Sequence, residues 1–240
     1  MRLDTLMVPA EVDEGGCGGR AAVVIDVLRS TTSMAAALDA GCREMIPTAG
    51  IEEASRLAEN LGRSNVILCG ERDGRRIEGF DLGNSPGEFV PETVRDRTLI
   101  MATSNGTPTI NKIKGSSLLL LACFNNISTV YQILQQAGAD VVLICAGKQG
   151  RFCLEDLLCA GALADLASRK KTTKLGDGSQ VALAMYRKHR RNLSQTLAKT
   201  QHGAYLVELG FEKDIDRCAL VDSTHTVPVF QDGRIVRYLQ

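Results

Sequence analysis

Short, continuous apolar runs alternate with helical patterns along most of the chain. The strand-like runs are 22–28, 65–70, 98–103, 117–124 and 140–147. The helical patterns are 31–41, 51–62, 154–168 and roughly 178–199. Unbroken apolar runs are typical of strands covered on both faces, and their alternation with helices predicts a parallel arrangement. We therefore expect an α/β fold, layered α/β/α, with a mixed, largely parallel sheet.

Size and charge restrict the class of protein further. The 240 residues suit one domain over 1–240, or two closely packed lobes. Lys plus Arg and Asp plus Glu both number 28, so a zero net charge argues against a nucleic-acid or anionic-membrane binder. The longest apolar run, 118–124, is far shorter than the roughly 20 residues of a membrane-spanning helix. Residues 1–16 lack the apolar core of a secretory signal.

Cysteine usage bears on metal binding and on the compartment. The eight cysteines include no Cys-x-x-Cys pair, which argues against a structural zinc site. Thiols inside apolar runs behave as small buried hydrophobes, and we expect a cytoplasmic, reducing environment. A homodimer would suit a cytosolic enzyme of this size, although no apolar stripe identifies an interface.

Polar clusters follow four of the strands where helices begin. They are 26–32, 103–107, Asn125 with Asn126, and Glu155 with Asp156. In an open parallel sheet the carboxyl ends of the strands form the ligand crevice, and helix N-termini there favour anions. The sequence therefore predicts a small phosphorylated or carboxylated anion as the ligand.

Asp26 lies within an apolar run, where a charge is costly unless it is paired, metal-bound or protonated. One interpretation is a structural ion pair with Arg29. The other is a functional carboxylate that binds metal or acts as acid, base or nucleophile. Arg29 is then a clamp for phosphate or sulfonate, and Ser30 and Thr31 can both cap a helix and bind phosphate.

A charged, glycine-rich segment, 70–91, interrupts the alternation of strands and helices. Connections of this length without their own secondary structure are uncommon and usually functional. Phe80 and Leu82 flank Asp81, so we expect the two apolar residues to anchor the loop and hold that carboxylate in place. An ordinary solvated loop is the alternative, because surface loops carry similar charge.

Several familiar motifs are absent or unconvincing. The sequence has no P-loop, no G-x-S-x-G elbow and no G-x-G-x-x-G turn. Cys145 and Arg151 have the spacing of a Cys-x5-Arg phosphatase, but Lys148 and Gln149 stand where that loop is rich in small residues. We interpret this spacing as accidental, with Cys145 as an alternative nucleophile to be checked. The basic run 186–191 is interpreted as a solvated helix face, with an RNA contact as the alternative.

Several separated blocks, taken in order, resemble the 2-phosphosulfolactate phosphatase family. They are 23–33, 69–86, 103–107, Asn125 with Asn126, and 146–163, with a weaker match from 202 to Asp214. The resemblance implies a single domain whose α/β fold differs from the common phosphatase folds. It also implies a Mg²⁺-dependent enzyme that hydrolyses 2-phospho-3-sulfolactate to sulfolactate and phosphate, a step towards coenzyme M.

The resemblance also suggests roles for individual residues. Asp26, Glu71 and Asp81 are the expected Mg²⁺ ligands, with Glu155 and Asp156 as reserves. Asp26 and Arg29 are the expected catalytic residues, Arg29 as the phosphate clamp. The expected substrate-binding residues are Ser30, Thr31, Arg72, Asn84, Asn105, Gly106, Thr107 and Asn125, with Arg72 as the sulfonate ligand.

Two further functions are compatible with these residues. A phosphatase site can be kept while the acid it accepts changes, so another small phosphorylated hydroxy acid is an alternative substrate. A non-catalytic anion-binding protein is the alternative from another class. The acids Asp26, Glu71 and Asp81 argue against it, because a pure anion binder has less need of carboxylates beside its ligand.

Overall fold

The computed structural model describes residues 1–13, 16–113 and 115–239. The strands are β1 (Arg2–Leu6), β2 (Ala21–Ile25), β3 (Glu44–Thr48), β4 (Val66–Arg72), β5 (Arg75–Arg76), β6 (Thr98–Ala102), β7 (Leu118–Ala122), β8 (Val141–Cys145), β9 (Lys174–Leu175), β10 (Pro228–Gln231) and β11 (Arg234–Arg237). The helices are α1 (Ser30–Asp39), α2 (Ile51–Leu61), α3 (Pro91–Val94), α4 (Gly106–Lys112), α5 (Ile127–Ala137), α6 (Leu154–Ser168), α7 (Asp177–His189), α8 (Leu193–Ala198), α9 (Gln201–Glu208) and α10 (Glu212–Cys218).

The strands form one mixed sheet in the order β5-β4-β6-β3-β11-β10-β7-β2-β8-β1-β9. Two blocks within it are parallel, β4-β6-β3 and β7-β2-β8-β1-β9. The C-terminal hairpin β10–β11 joins them by antiparallel pairing to β7 on one side and β3 on the other. The predicted α/β fold with a mixed, largely parallel sheet flanked by helices is confirmed.

Three successive antiparallel pairings make the two blocks run in opposite directions. Their side chains nevertheless share one apolar core, in which Val24 of β2 and Leu121 of β7 lie with Leu99 and Met101 of β6. The sheet must therefore curl across the hairpin, as accumulated strand twist allows. Helices α1 and α4 lie in this shared core, which brings the residues after β2 next to those after β6.

Helix α6 differs from its predicted amphipathic pattern. Twelve of its fifteen residues are buried, because α7 packs along it as well as the sheet. At Gly161 a β-carbon would clash with the carbonyl oxygen of Ala182, so the close approach of the two helices requires glycine there. The sequence pattern of α6 cannot show this contact, because α7 lies beyond it in the chain.

Other differences from the sequence prediction are local. The predicted helix over 178–199 is two helices, α7 and α8, separated at 190–192, where Asn192 takes the N-cap position of α8. The sequence did not predict strands β1, β3, β5 and β9 or helices α3 and α10. Segment 70–91 begins with the last three residues of β4 and ends at the first residue of α3. Between them it contains the two-residue strand β5 and a short 3₁₀ turn, and it is otherwise irregular, as expected. No described helix is both long enough and apolar enough to cross a bilayer.

Candidate active site

The ends of β2, β4 and β6 converge on one narrow cleft, joined there by the turn that follows β8. Ser104, just after β6, donates its backbone N–H to Glu71 Oε1 at 2.7 Å, which ties the ends of β6 and β4 together. Predicted and unpredicted residues share the lining. It is formed by Asp26, Leu28, Arg29, Glu71, Asp73, Gly74, Asn84, Thr103, Ser104, Asn105, Lys148, Gln149 and His202.

Asp26 lies immediately after β2 and is 6% exposed. Its Oδ1 accepts a hydrogen bond from the Ser30 backbone N–H at 3.3 Å, and its own carbonyl accepts one from the Thr31 hydroxyl at 2.8 Å. Burial raises the pKa of Asp26 to about 7, and the negative charges of Glu71 and Glu155 add to the increase. The carboxylate is therefore buried without a counter-charge that fully compensates it.

Gly106 allows the start of α4 to approach Asp26 closely. A β-carbon at this position would clash with the side chain of Ser30 and lie 2.8 Å from Asp26 Oδ2. The backbone after β6 therefore packs directly against the residues after β2. Thr107 closes the same turn, because its hydroxyl accepts a hydrogen bond from the Thr103 backbone N–H at 3.0 Å.

Arg29 is held by residues other than Asp26. Its guanidinium donates to Asp214 Oδ2 and to the Gly74 carbonyl, both at 2.7 Å, and lies 4.2 Å from the centre of the Phe211 ring. The structural ion pair with Asp26 that the sequence suggested is therefore not the pair that forms. Asp214 also accepts a hydrogen bond from the Ser85 hydroxyl at 2.6 Å, which anchors the 70–91 segment to α10.

Glu71, near the end of β4, holds two neighbouring turns in place through hydrogen bonds to their backbones. Besides its bond from Ser104, its Oε2 accepts a hydrogen bond from the Gly74 backbone N–H at 2.8 Å. Gly74 is also the residue whose carbonyl binds Arg29. Glu71 thus positions the turn that holds the arginine, while its carboxylate faces the cleft.

Lys148 and His202 are functional candidates that the sequence analysis missed. Lys148 Nζ lies 2.8 Å from His202 Nδ1 and 4.3 Å from the centre of the Tyr205 ring. Burial lowers the pKa of His202 to about 4, and the charge of Lys148 contributes to the decrease, so the imidazole is neutral and accepts from the ammonium. Lys148 follows β8, so the strand-end rule that found Asp26 could also have found it.

Four buried side-chain oxygens in the described ranges have no hydrogen-bond partner. They are Ser30 Oγ, Asn84 Oδ1, Ser104 Oγ and Glu155 Oε1. Asn84 and Ser104 line the cleft that contains Asp26, and Ser30 adjoins it through its backbone hydrogen bond to Asp26 Oδ1. Because buried polar groups in folded proteins are almost always hydrogen-bonded, a cluster of exceptions indicates a place where a ligand completes the bonding.

Besides the two reserve acids, seven predicted site residues are absent from the lining of this cleft. Four of them, Ser30, Thr31, Gly106 and Thr107, belong to the adjoining turns after β2 and β6, and the other three make contacts elsewhere. Asp81 accepts hydrogen bonds from Arg63 Nη2 and from the Leu68 backbone N–H, both at 2.8 Å, so it fixes its loop to β4. Arg72 is exposed and is absent from the lining. Asn125 donates to the carbonyls of Arg217 and Leu220 at 2.9 and 3.0 Å, which anchors the region after α10.

The two reserve acids have different environments. Asp156 accepts hydrogen bonds from the backbone N–H groups of Val27 and Gly147, both at 2.9 Å, and so joins the turn after β2 to the turn after β8. Its role in the structure is therefore to hold these two turns together. Glu155 is 2% exposed and keeps one carboxylate oxygen without a partner, beside a second cleft.

The residues present can hold a divalent cation, but with fewer carboxylate ligands than the sequence predicted. The predicted set of three carboxylates is not assembled, because Asp81 is elsewhere, and no group of three His, Cys, Asp or Glu side chains in the described parts of the chain is arranged to hold a metal. Mg²⁺ commonly binds through one or two carboxylates, with waters and substrate phosphate completing its shell. Asp26 and Glu71, with the unpartnered Ser30 hydroxyl nearby, are compatible with that smaller set.

The fold and the cleft define an α/β protein with a small polar cleft at the carboxyl ends of its strands, which is where folds of this class bind their ligands. Comparison with known proteins makes the assignment specific. A sequence model described as 2-phosphosulpholactate phosphatase matches residues 6–233. The chain belongs to this family of phosphoric monoester hydrolases, and the predicted family is confirmed.

Curated relatives are similar over nearly their full lengths. The chain is 38% identical over 218 residues to a protein of Caldanaerobacter subterraneus subsp. tengcongensis, covering 91% of this chain and 90% of the relative. It is 38% identical over 231 residues to a Thermotoga maritima protein, covering 96% of each. It is 32% identical over 237 residues to a Clostridium acetobutylicum protein, covering 98% of this chain and 100% of the relative. All three are named "Probable 2-phosphosulfolactate phosphatase".

Proposed function

We propose that this protein is a Mg²⁺-dependent phosphatase that hydrolyses 2-phospho-3-sulfolactate to sulfolactate and inorganic phosphate. The observation that carries the proposal is the cluster of unpartnered buried oxygens around Asp26, in a chain of this family. The relatives' names supply the substrate. We also propose that this reaction is a step of coenzyme M biosynthesis.

The proposed substrate carries a phosphate, a carboxylate and a sulfonate, so its binding requires positive charge. Lys148 supplies a cation in the cleft that no carboxylate among the described ion pairs neutralises. Arg29 supplies a second cation, a guanidinium whose orientation Asp214 and Gly74 fix before substrate arrives. Preorganised charge of this kind stabilises the charge that develops at a phosphoryl group during transfer.

Asp26 and Glu71 are the residues that would hold the cation. Bound Mg²⁺ would neutralise phosphoryl oxygens and help to orient the phosphate. Ser30, Asn84 and Ser104 would bind substrate oxygens or water through the atoms that lack partners. Hydrolysis then breaks the bond between phosphorus and the substrate's C2 oxygen, and water supplies the new oxygen of the phosphate.

A cytoplasmic location accompanies the proposal. All eight cysteines are free and buried, which is compatible with a reducing compartment. Burial raises the pKa of Cys145, the thiol of the Cys-x5-Arg spacing, well above its ordinary value. Because the thiolate is the nucleophilic form, Cys145 is unsuited to attack phosphorus, and we retain the carboxylate site.

The test is phosphate release from racemic 2-phospho-3-sulfolactate, with Mg²⁺ and with EDTA, beside phospholactate and p-nitrophenyl phosphate. We expect release that depends on Mg²⁺ and favours the sulfonated substrate. Release that favours phospholactate would retain the enzyme class and replace the substrate. No release from any ester by folded protein would support the anion-binding alternative.

A further inference from the structure

A second and larger cleft adjoins the first. It lies between the 148–155 segment and the residues that lead into α9, and the two clefts share Lys148, Gln149 and His202. The second cleft has a volume of about 410 Å³, against about 20 Å³ for the first. The first cleft is therefore much the smaller of the two.

This difference in volume bears on how the proposed substrate could bind. A three-carbon acid that carries both a phosphate and a sulfonate needs more room than its phosphate alone. If the phosphate lies beside Asp26 in the smaller cleft, the rest of the molecule extends towards the larger one. The second cleft is the adjoining space, and Lys148 stands where the two meet.

The charge of the second cleft is suited to an anion. Its lining includes three cations, Lys148, Arg151 and Lys199, and none of them takes part in an ion pair within the described ranges. Arg29, in contrast, is already paired with Asp214 in the first cleft. Cations without carboxylate partners around a cavity favour a ligand with strong-acid groups.

Glu155 provides a second, independent observation. It is the sole carboxylate in the described lining of this cleft, it is 2% exposed, and its Oε1 has no hydrogen-bond partner. A buried acceptor left without a donor is costly, and a water between Glu155 and the sulfonate could donate one hydrogen bond to each. The cleft thus combines free cations with an unsatisfied buried acceptor.

We propose that the second cleft is the subsite for the sulfonate end of the substrate, with Arg151 and Lys199 binding the sulfonate. Lys148 is shared between this group and the phosphate in the first cleft. This inference rests on the proposed function, and it assigns the sulfonate to residues other than Arg72, which lies outside both clefts.

The test compares substrate preference in two double variants. Arg151→Gln with Lys199→Gln removes the two cations, and Lys171→Gln with Arg191→Gln removes two exposed cations elsewhere as the matched control. The readout is the ratio of kcat/KM for 2-phospho-3-sulfolactate to that for phospholactate. We expect this ratio to fall at least about tenfold in the first variant, because each lost bond is charge-assisted, and to stay unchanged in the control. An equal ratio in wild type and the first variant would overturn the subsite.

A binding measurement separates failure of the subsite from failure of the reaction. Calorimetric titration with racemic 3-sulfolactate, and with lactate as the reference, needs no turnover. We expect sulfolactate to bind more tightly than lactate in wild type, and this difference to disappear in the Arg151→Gln, Lys199→Gln variant. If wild type binds sulfolactate in this way but releases no phosphate, the reaction fails and the subsite stands. If it hydrolyses the substrate while the variant keeps its preference, the subsite fails and the reaction stands.

Discussion

Arg29 donates a hydrogen bond of 2.7 Å to Asp214, a residue 185 positions away, and forms no ion pair with Asp26, three positions before it. Arg29 is 3% exposed, so its partner decides whether a buried charge is compensated. The two aspartates therefore have different roles. Asp214 fixes the guanidinium, and the Asp26 carboxylate stays available to a ligand.

The first prediction concerns Asp26. We expect Asp26→Asn to reduce the rate of phosphate release at least about 100-fold, because it removes the charged oxygen from the centre of the cleft. Unfolding in urea should show unchanged or increased stability, because a buried charge without a full counter-charge is costly. The matched control is Asp81→Asn, which breaks a half-exposed pair with Arg63 and should keep activity within about twofold. Full activity in Asp26→Asn would refute the role of this residue.

The second prediction concerns Asp214. Replacing it with Ala leaves Arg29 buried without its carboxylate, and we expect a loss of about 3 kcal/mol in the free energy of unfolding. Urea denaturation at neutral pH measures this loss. Arg234→Gln, which removes an exposed partner of Glu44, is the comparison and should cost less than about 1 kcal/mol. Similar losses in the two variants would contradict the importance of burial.

The third prediction concerns Gly106. A methyl group there would clash with the Ser30 side chain, so Gly106→Ala should destabilise the protein by about 1–3 kcal/mol and reduce activity. Adding Ser30→Gly to the same chain removes the clashing atoms. We expect the double variant to be more stable than the sum of the two single changes in the free energy of unfolding predicts. A double-mutant cycle measures this difference. Simple additivity of the two changes would indicate that the clash is relieved elsewhere.

The fourth prediction concerns pH. The pKa of His202 is about 4 in the folded protein and near 6.5 when unfolded, so between these values the unfolded chain binds more protons. Stability contributed by neutral His202 is therefore present above about pH 6.5 and is lost as the pH falls towards 4. The urea midpoint should decrease from pH 7 to pH 5 in wild type, and decrease less in His202→Gln. Equal decreases in both proteins would mean that His202 titrates normally.

The site was predictable where it depends on strand ends. Asp26, Glu71 and Asn105 lie at or just beyond the ends of β2, β4 and β6, and all three line the cleft. Asp81 was wrongly placed, because its apolar neighbours do anchor the loop but turn the carboxylate towards Arg63 and the backbone of Leu68. Local alternation predicts which residues anchor a loop, and it does not predict what the residue between them faces.

Other features depend on contacts between distant parts of the chain. Lys148 and His202 are 54 positions apart, and neither has a sequence pattern that points to the other. Arg29 and Asp214 are likewise joined only by the fold. The same limit applies to α6, whose burial on all sides follows from packing by α7.

The C-terminal hairpin β10–β11 has a consequence for synthesis. It is the element that joins the two parallel blocks, and it follows every other strand in the chain. Asp26 belongs to one block and Glu71 to the other. A ribosome therefore releases both halves of the cleft long before it releases the strands that connect them. Each half must keep its exposed sheet edge from pairing with other chains until residues 228–237 emerge.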